Sequence, residues 1–291
     1  MIKKREALLL LVLFTGFCVN TYGAKTAEST ESDDSKIGLI LNVDDAGMSP
    51  ATIEGIVQLW KQKAVSSTTI IVYSPDFDHT AAVLRGIDIP VGIHLGLHHG
   101  PGVLPASEVP SLHAPDGSFW STVSETMEHM VLAEAEAEFD AQIRKAIDAG
   151  LRPVYLDSHM GLIYRNRELI EMYVRLAKKY RVSLALPAGA LYDEAREDLK
   201  SVGLKSSITL SGVYDIPGGE TLENRTEAYR ALLKSLKPGL NYCFSHPVPD
   251  IGTMREAFGD YPLRIDDFTL FMSPEWKQML DEAGVTLVSL K

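Results

Sequence analysis

Cysteine is nearly missing from this chain: Cys18 and Cys243 are the only two in 291 residues. Cys18 lies in an apolar N-terminal run, so Cys243 stands alone in the rest, and one thiol cannot close an internal disulfide. Beside Phe244, it is expected to be a core residue. Positive charge is also short, with 28 Lys and Arg against 39 Asp and Glu and a net charge of -11. Nucleic-acid binders are more often basic, so nucleic acid is not an expected partner. The sequence has no Walker-type loop, no Gly-x-Gly-x-x-Gly after its first strand, no Gly-x-Ser-x-Gly elbow and no His-Glu-x-x-His helix. A dinucleotide cofactor, a serine nucleophile on an elbow and a zinc helix therefore have no support. The longest apolar run falls short of the roughly 20 residues that span a bilayer.

What is present is ordinary in bulk: 45% hydrophobic and 23% charged residues, enough for a sizeable core. Lys3, Lys4 and Arg5 precede an apolar run from Ala7 to about Val19, and small residues follow at Gly23 and Ala24. That order reads as a secretory signal peptide over residues 1–24, with export to the periplasm or the extracellular space and no stable membrane insertion after cleavage. The alternative is an uncleaved anchor. Phe17 is bulky where a lipidated Cys18 would be preceded by a small residue. Residues 25–35 are mostly Thr, Ser, Glu and Asp with little to bury, and read as a flexible linker. Residues 36–291 then form one domain.

From residue 37 the chain alternates. Continuous β-branched runs predict strands at 37–43, 67–73, 91–97, 154–156, 182–186, 239–244 and 285–290. Helical spacing predicts helices at 50–63, 79–85, 130–149, 167–180, 226–236 and 274–283. Residues 98–123 read as a long loop, and 187–223 are ambiguous. The rhythm implies an α/β fold, a single barrel-like domain of about seven mostly parallel strands with helices outside.

Four strand ends carry unusual polar groups: Asp44-Asp45, His94, Asp157-Ser158-His159 and His246. Barrels and open α/β sheets gather such ends at one mouth. Two adjacent acids on a strand face different directions. One can bind a metal while the other faces the attacking water. One carboxylate and two imidazoles leave coordination positions open, and a spare acid and a further His supply a base and an acid. Each piece also has a bland explanation: a helix cap, a core His, a turn. His98 and His99 are expected to be solvated loop residues. His79, His113 and His129, with no nearby acid or strand end, are taken as structural, and Trp120 as a loop anchor.

The same residues carry a family resemblance. Leu41-Asn42-Val43-Asp44-Asp45-Ala46-Gly47-Met48-Ser49 resembles the first motif of the YdjC family, the ChbG/HpnK-type carbohydrate deacetylases. Val91-Gly92-Ile93-His94-Leu95, Leu156-Asp157-Ser158-His159 and Ser245-His246-Pro247 are similar to its later motifs, in the same order from Lys36 to Leu290. The resemblance implies a barrel-like fold and one divalent metal ion (Mg2+ or Zn2+). It implies hydrolysis of an acetyl group from an N-acetylated sugar or oligosaccharide. By position, Asp45, His94 and His159 would be metal ligands, Asp44 the general base, and His246 an acid near the substrate. Met160, Gly161, Leu162 and Ile163 stand where the family continues with histidines, Ala46 where it has an aromatic and Gly96 where it often has Asn, the pattern of a divergent, polysaccharide-deacetylase-like branch. A metal-dependent esterase or phosphoesterase, and a non-catalytic carbohydrate-binding protein, are the alternatives. Arg165 and Arg167 are the cations nearest the motifs.

Overall fold

A computed structural model describes residues 36–187, 189–204, 208–210, 221–251 and 260–289. The expected signal peptide and linker lie outside them. The elements run β1 (Ile37–Ala46), α1 (Pro50–Lys61), β2 (Ser67–Ile70), α2 (Phe77–Arg85), β3 (Val91–Leu95), α3 (Val123–His129), α4 (Leu132–Asp148), β4 (Pro153–Ser158), α5 (Arg167–Tyr180), β5 (Ser183–Pro187), α6 (Ala190–Ser201), β6 (Ile208–Leu210), α7 (Leu222–Ser235), β7 (Gly239–Ser245), α8 (Tyr261–Met272), α9 (Pro274–Ala283) and β8 (Val285–Leu287).

All the pairings between these strands are parallel, in the order β2-β3-β4-β5-β6-β7-β1-β8, and β1 also pairs with β2. Strands β1 to β7 thereby curl into a closed ring. β8 fills the lower half of one edge of β1, opposite Ile37–Leu39, while β2 takes the upper half from Asn42. The barrel-like α/β expectation holds. Parallel strands covered on both faces need continuous apolar runs, and β1 has one. Its residues divide by alternation: Leu39, Leu41 and Val43 join the large core under the helices, while Ile40 packs inside the ring with Tyr155, Ala185 and Tyr242.

Local chemistry sets the helix starts. The Ser49 hydroxyl accepts from the Thr52 amide at 3.2 Å ahead of Pro50, and the Asn166 side chain accepts from the Leu169 amide at 2.9 Å. Cys243 is buried, as expected, and burial pushes its thiol up to about 12. β2 and β3 stop at Ile70 and Leu95, short of the expected ends. The chain beyond remains buried at Ile71, Val72, Tyr73 and Leu97, so hydrophobicity alone could not mark the stops. The ambiguous stretch holds α6 and β6, and α3 lies at the loop's end and just beyond it.

The ring interior is tight. A Cβ on Gly92 would lie 2.5 Å from Cζ of Tyr155, its register partner on β4, whose ring lies inside the barrel against β3. Gly92→Ala should therefore destabilise the fold by about 1–3 kcal/mol, the usual cost of overpacking. A denaturant midpoint equal to that of the parent would refute this.

Candidate functional site

The upper ends of β1, β3, β4 and β7 open into a cleft of about 680 Å³. Asp44, Asp45, His94, Asp157, His159 and His246 all line it. The four motifs are therefore brought together.

Asp44 is held from below. Its Oδ1 accepts from Asn42 Nδ2 at 2.5 Å and from the Thr69 hydroxyl at 2.6 Å. Asn42 Oδ1 in turn accepts from Ser67 at 2.8 Å and Tyr155 at 2.5 Å. Oδ1 is thus committed to the ring, and Oδ2 faces the cleft, 3.8 Å from His94 Nε2 and 4.0 Å from His246 Nε2.

The alternation that should send Asp45 away is broken. Asp45 has φ +67, and the register of β1 on β2 shifts between Val43 and Ala46. Asp tolerates this left-handed turn better than most residues. Both acids consequently face one cavity. Asp45 Oδ1 lies 3.4 Å from His159 Nδ1 and 3.6 Å from His94 Nε2. Its Oδ2 lies 3.7 Å from His246 Nε2 and 3.5 Å from Arg264 Nη1.

Electrostatics divides the two acids. Burial, then the charges of Asp157 and Asp45, hold the Asp44 carboxyl well above the usual carboxylate range. Burial alone would also raise Asp45, but His246, His159 and His94 outweigh it and hold Asp45 well below that range. Burial, with Arg264 and His94 adding to it, lowers His246 against the pull of Asp45, which favours its neutral form.

The donor set suits a divalent cation. Asp45 Oδ1 is buried without a hydrogen-bond partner, a costly state for a carboxylate oxygen that a cation relieves. It falls within 4.8 Å of ligand atoms of His94 and His159, as those do of each other. Asp44, His94 and Asp157 form a second such group sharing His94. One anionic oxygen with two imidazoles is a common set with open positions.

His98 departs from expectation. It is buried rather than solvated, stacked on the His159 ring at 4.6 Å with the planes 1° apart. Both its nitrogens lack hydrogen-bond partners, and burial together with His159, His99 and His94 pushes it down to about 3. Loop 98–123 is tied back on itself just beyond it, with His99 N donating to Trp120 O at 3.2 Å. His99 itself is exposed. Trp120 anchors the loop as expected, donating to Ser111 O at 3.0 Å and stacking on His129. His113 bridges Val109 O and Pro101 O inside it. His79 does have an acid at hand, Asp76 at 3.2 Å, one helical turn away on an exposed surface.

Sequence reasoning left part of the cleft unassigned. Arg264 and Asp267 come from α8, which the sequence did not announce. Arg225 on α7 grips Asp267 at 2.6 and 2.8 Å, and Asp267 accepts from the Ser245 hydroxyl at 2.5 Å. Of the two arginines near the motifs, Arg165 lines the cleft, whereas Arg167 pairs with Glu194 at 2.7 Å. After His159 the chain turns through Met160 (φ +53) and Gly161 (φ +65), leaving Met160 exposed at the mouth.

The chain is similar to known proteins over most of its length. A protein named carbohydrate deacetylase from Enterococcus faecalis is 36% identical over 262 residues, spanning 86% of this chain and 96% of that one. Another of the same name, from Listeria welshimeri, is 28% identical over 262 residues, spanning 87% and 98%. A solved Enterococcus faecalis structure, described as a candidate cellobiose-phosphate cleavage protein, superimposes with a TM-score of 0.72 at 27% identity, covering 88% of this chain and 98% of that one. The family described as YdjC-like protein matches residues 38–282, so this chain belongs to the YdjC-like family.

Proposed function

We propose that the protein is a metal-dependent carbohydrate deacetylase, hydrolysing an acetamido group on an N-acetylated sugar or oligosaccharide. The observation that carries this reading is the meeting of Asp44, Asp45, His94, His159 and His246 in one cleft. The homologues named carbohydrate deacetylase support the substrate class.

Asp45, His94 and His159 would hold one divalent ion, Mg2+ or Zn2+. Bound there, the ion would polarise the acetyl carbonyl and acidify water. The remaining chemistry belongs to the chain. Asp44, with its cleft-facing Oδ2 and high proton affinity, takes the proton of the attacking water. That proton passes from Asp44 Oδ2 to the neutral His246, whose Nε2 lies 4.0 Å away, and the imidazolium so formed hands it to the nitrogen as the C–N bond breaks. Water and amide give acetic acid and the amine, Asp44 and His246 return to their starting states, and the proton of the acid passes to the amine or to solvent, leaving acetate. Arg264 beside Asp45 adds a positive charge where the carbonyl oxygen becomes anionic.

The test is acetate release from N-acetylated oligosaccharides by the purified protein with Mg2+ or Zn2+. Acetate and free amine should appear in equal amounts. No acetate from any N-acetyl sugar, or faster turnover of p-nitrophenyl esters or phosphates than of acetamides, would overturn the reading. We also infer export, supported by the basic start and apolar run of residues 3–19. Cell fractionation that finds the protein in the cytoplasm alone would contradict it.

A further inference from the structure

Asp157 belongs to the motif before His159, yet the chemistry above does not use it. It lies on β4 directly across from His94 on β3, and the two are register partners. Neighbouring partners in a parallel sheet point to the same face, so both enter the ring. His94 turns Nε2 toward Asp44 and Asp45, and its Nδ1 lies 3.7 Å from Asp157 Oδ2. Nδ1 is buried and has no hydrogen-bond partner.

Asp157 is fixed independently of His94. Its Oδ1 accepts from the Ser158 amide at 2.7 Å and lies 3.1 Å from the Tyr164 hydroxyl. Its Oδ2 accepts from the Tyr242 hydroxyl at 3.2 Å. A carboxylate oxygen has more than one lone pair, so Oδ2 keeps capacity for another donor. The only donor His94 can aim at it is Nδ1–H.

We propose that Asp157 is a positioning residue that sets the tautomer of His94. It holds the proton on Nδ1, which leaves the Nε2 lone pair facing Asp45 for the ion. The inference rests on His94 being a ligand, as proposed above. The 3.7 Å separation is longer than a hydrogen bond, and a ring shift of under an ångström closes it. A carboxylate behind a ligating imidazole fixes the ring and strengthens it as a donor, and losing it weakens metal binding about 10- to 100-fold.

Asp157→Asn inverts the arrangement. The Asn oxygen is claimed by the Ser158 amide, so its NH2 turns toward His94, offering a donor to Nδ1 and favouring the Nε2–H form that blocks the ion. Long-range 15N NMR of the His94 ring in the full-length protein, with and without Zn2+, reads the tautomer. Calorimetric Zn2+ titration of the metal-free protein reads affinity. The parent should carry its proton on Nδ1. Asp157→Asn should shift it to Nε2 and weaken Zn2+ about 10- to 100-fold. Tyr242→Phe, which keeps the carboxylate, should retain Nδ1–H.

An Nε2–H ring in the parent overturns the proposal, and this measurement needs no folded variant. So does unchanged Zn2+ affinity in a folded Asp157→Asn protein. A loss well beyond 100-fold with Nδ1–H retained would make Asp157 itself a ligand and also overturn it. A parent that binds no ion sinks the metal reading instead, while its His94 tautomer still decides the role of Asp157.

Discussion

Asp44→Asn is expected to stop acetate release while making the metal-free protein harder to unfold. A lost general base costs about 10²–10⁴ in rate. The stability change has the opposite sign because the folded-state pKa of Asp44 is raised by burial, Asp157 and Asp45 above its ordinary value of 3.8. A raised carboxyl stabilises the fold only below its unfolded pKa, and that contribution disappears as pH climbs through the folded value. At neutral pH the charge is a burden, and a neutral amide removes it. The Asn oxygen can still accept from Asn42 and Thr69. A gain of about 1 kcal/mol follows, a few degrees in the unfolding midpoint measured with chelator. An unchanged rate would remove Asp44 from the reaction. A lowered midpoint would show that its burial is not the burden described.

Asp45→Ala should have the largest effect. Asp45 is the one acid that His94, His159, His246 and Arg264 all approach. Without it the cleft loses its anionic ligand, and stabilisation worth several kcal/mol goes with the ion, about 10³-fold or more in kcat/KM. Chelation of the parent should reproduce the loss, and added Mg2+ or Zn2+ should restore the parent but not the variant. Asp45→Ala protein that retains both tight binding and turnover would refute its place as a ligand. Asp45 also differs from Asp44 in stability. Its folded pKa is depressed by the surrounding histidines, so its contribution is present above 3.8 and lost as pH falls through the folded value. The variant should therefore lose stability at neutral pH, where Asp44→Asn gains it.

Much of the site was legible because parallel strands covered on both faces must be apolar throughout. Against Ile37–Val43, the acids at positions 44 and 45 stand out, and His94 does the same in its own buried run. Parallel topology then carries every such strand end to one mouth. The directions of the two acids were not legible. Period-two alternation separates neighbours, and the left-handed turn at Asp45 is a tertiary outcome with no signature in the pattern. His98 was misjudged because a loop rich in Pro, Gly and Ser reads as solvated, whereas Glu138 and Gln142 on α4 hold that loop and the β3 end down. Glu138 accepts from the Val103 and Leu104 amides at 2.9 and 2.8 Å, and Gln142 donates to Gly96 O at 2.8 Å. α8 went unseen for a related reason. Asp266 and Asp267 interrupt its apolar spacing, and Asp267 is buried against Arg225 and Ser245 instead of facing water.

The ring is laced unevenly. β1 meets β7 through seven register pairs from Ile37 to Val43, and β3 meets β4 through five, so the strands bearing Asp44, His94 and Asp157 are firmly joined to their neighbours. β6 touches β7 through the single pair Leu210↔Tyr242 among the described residues. The spacing among Asp44, His94 and Asp157 is therefore set by extensively paired strands, and a strain on the rim reaches those side chains only by shifting whole strands.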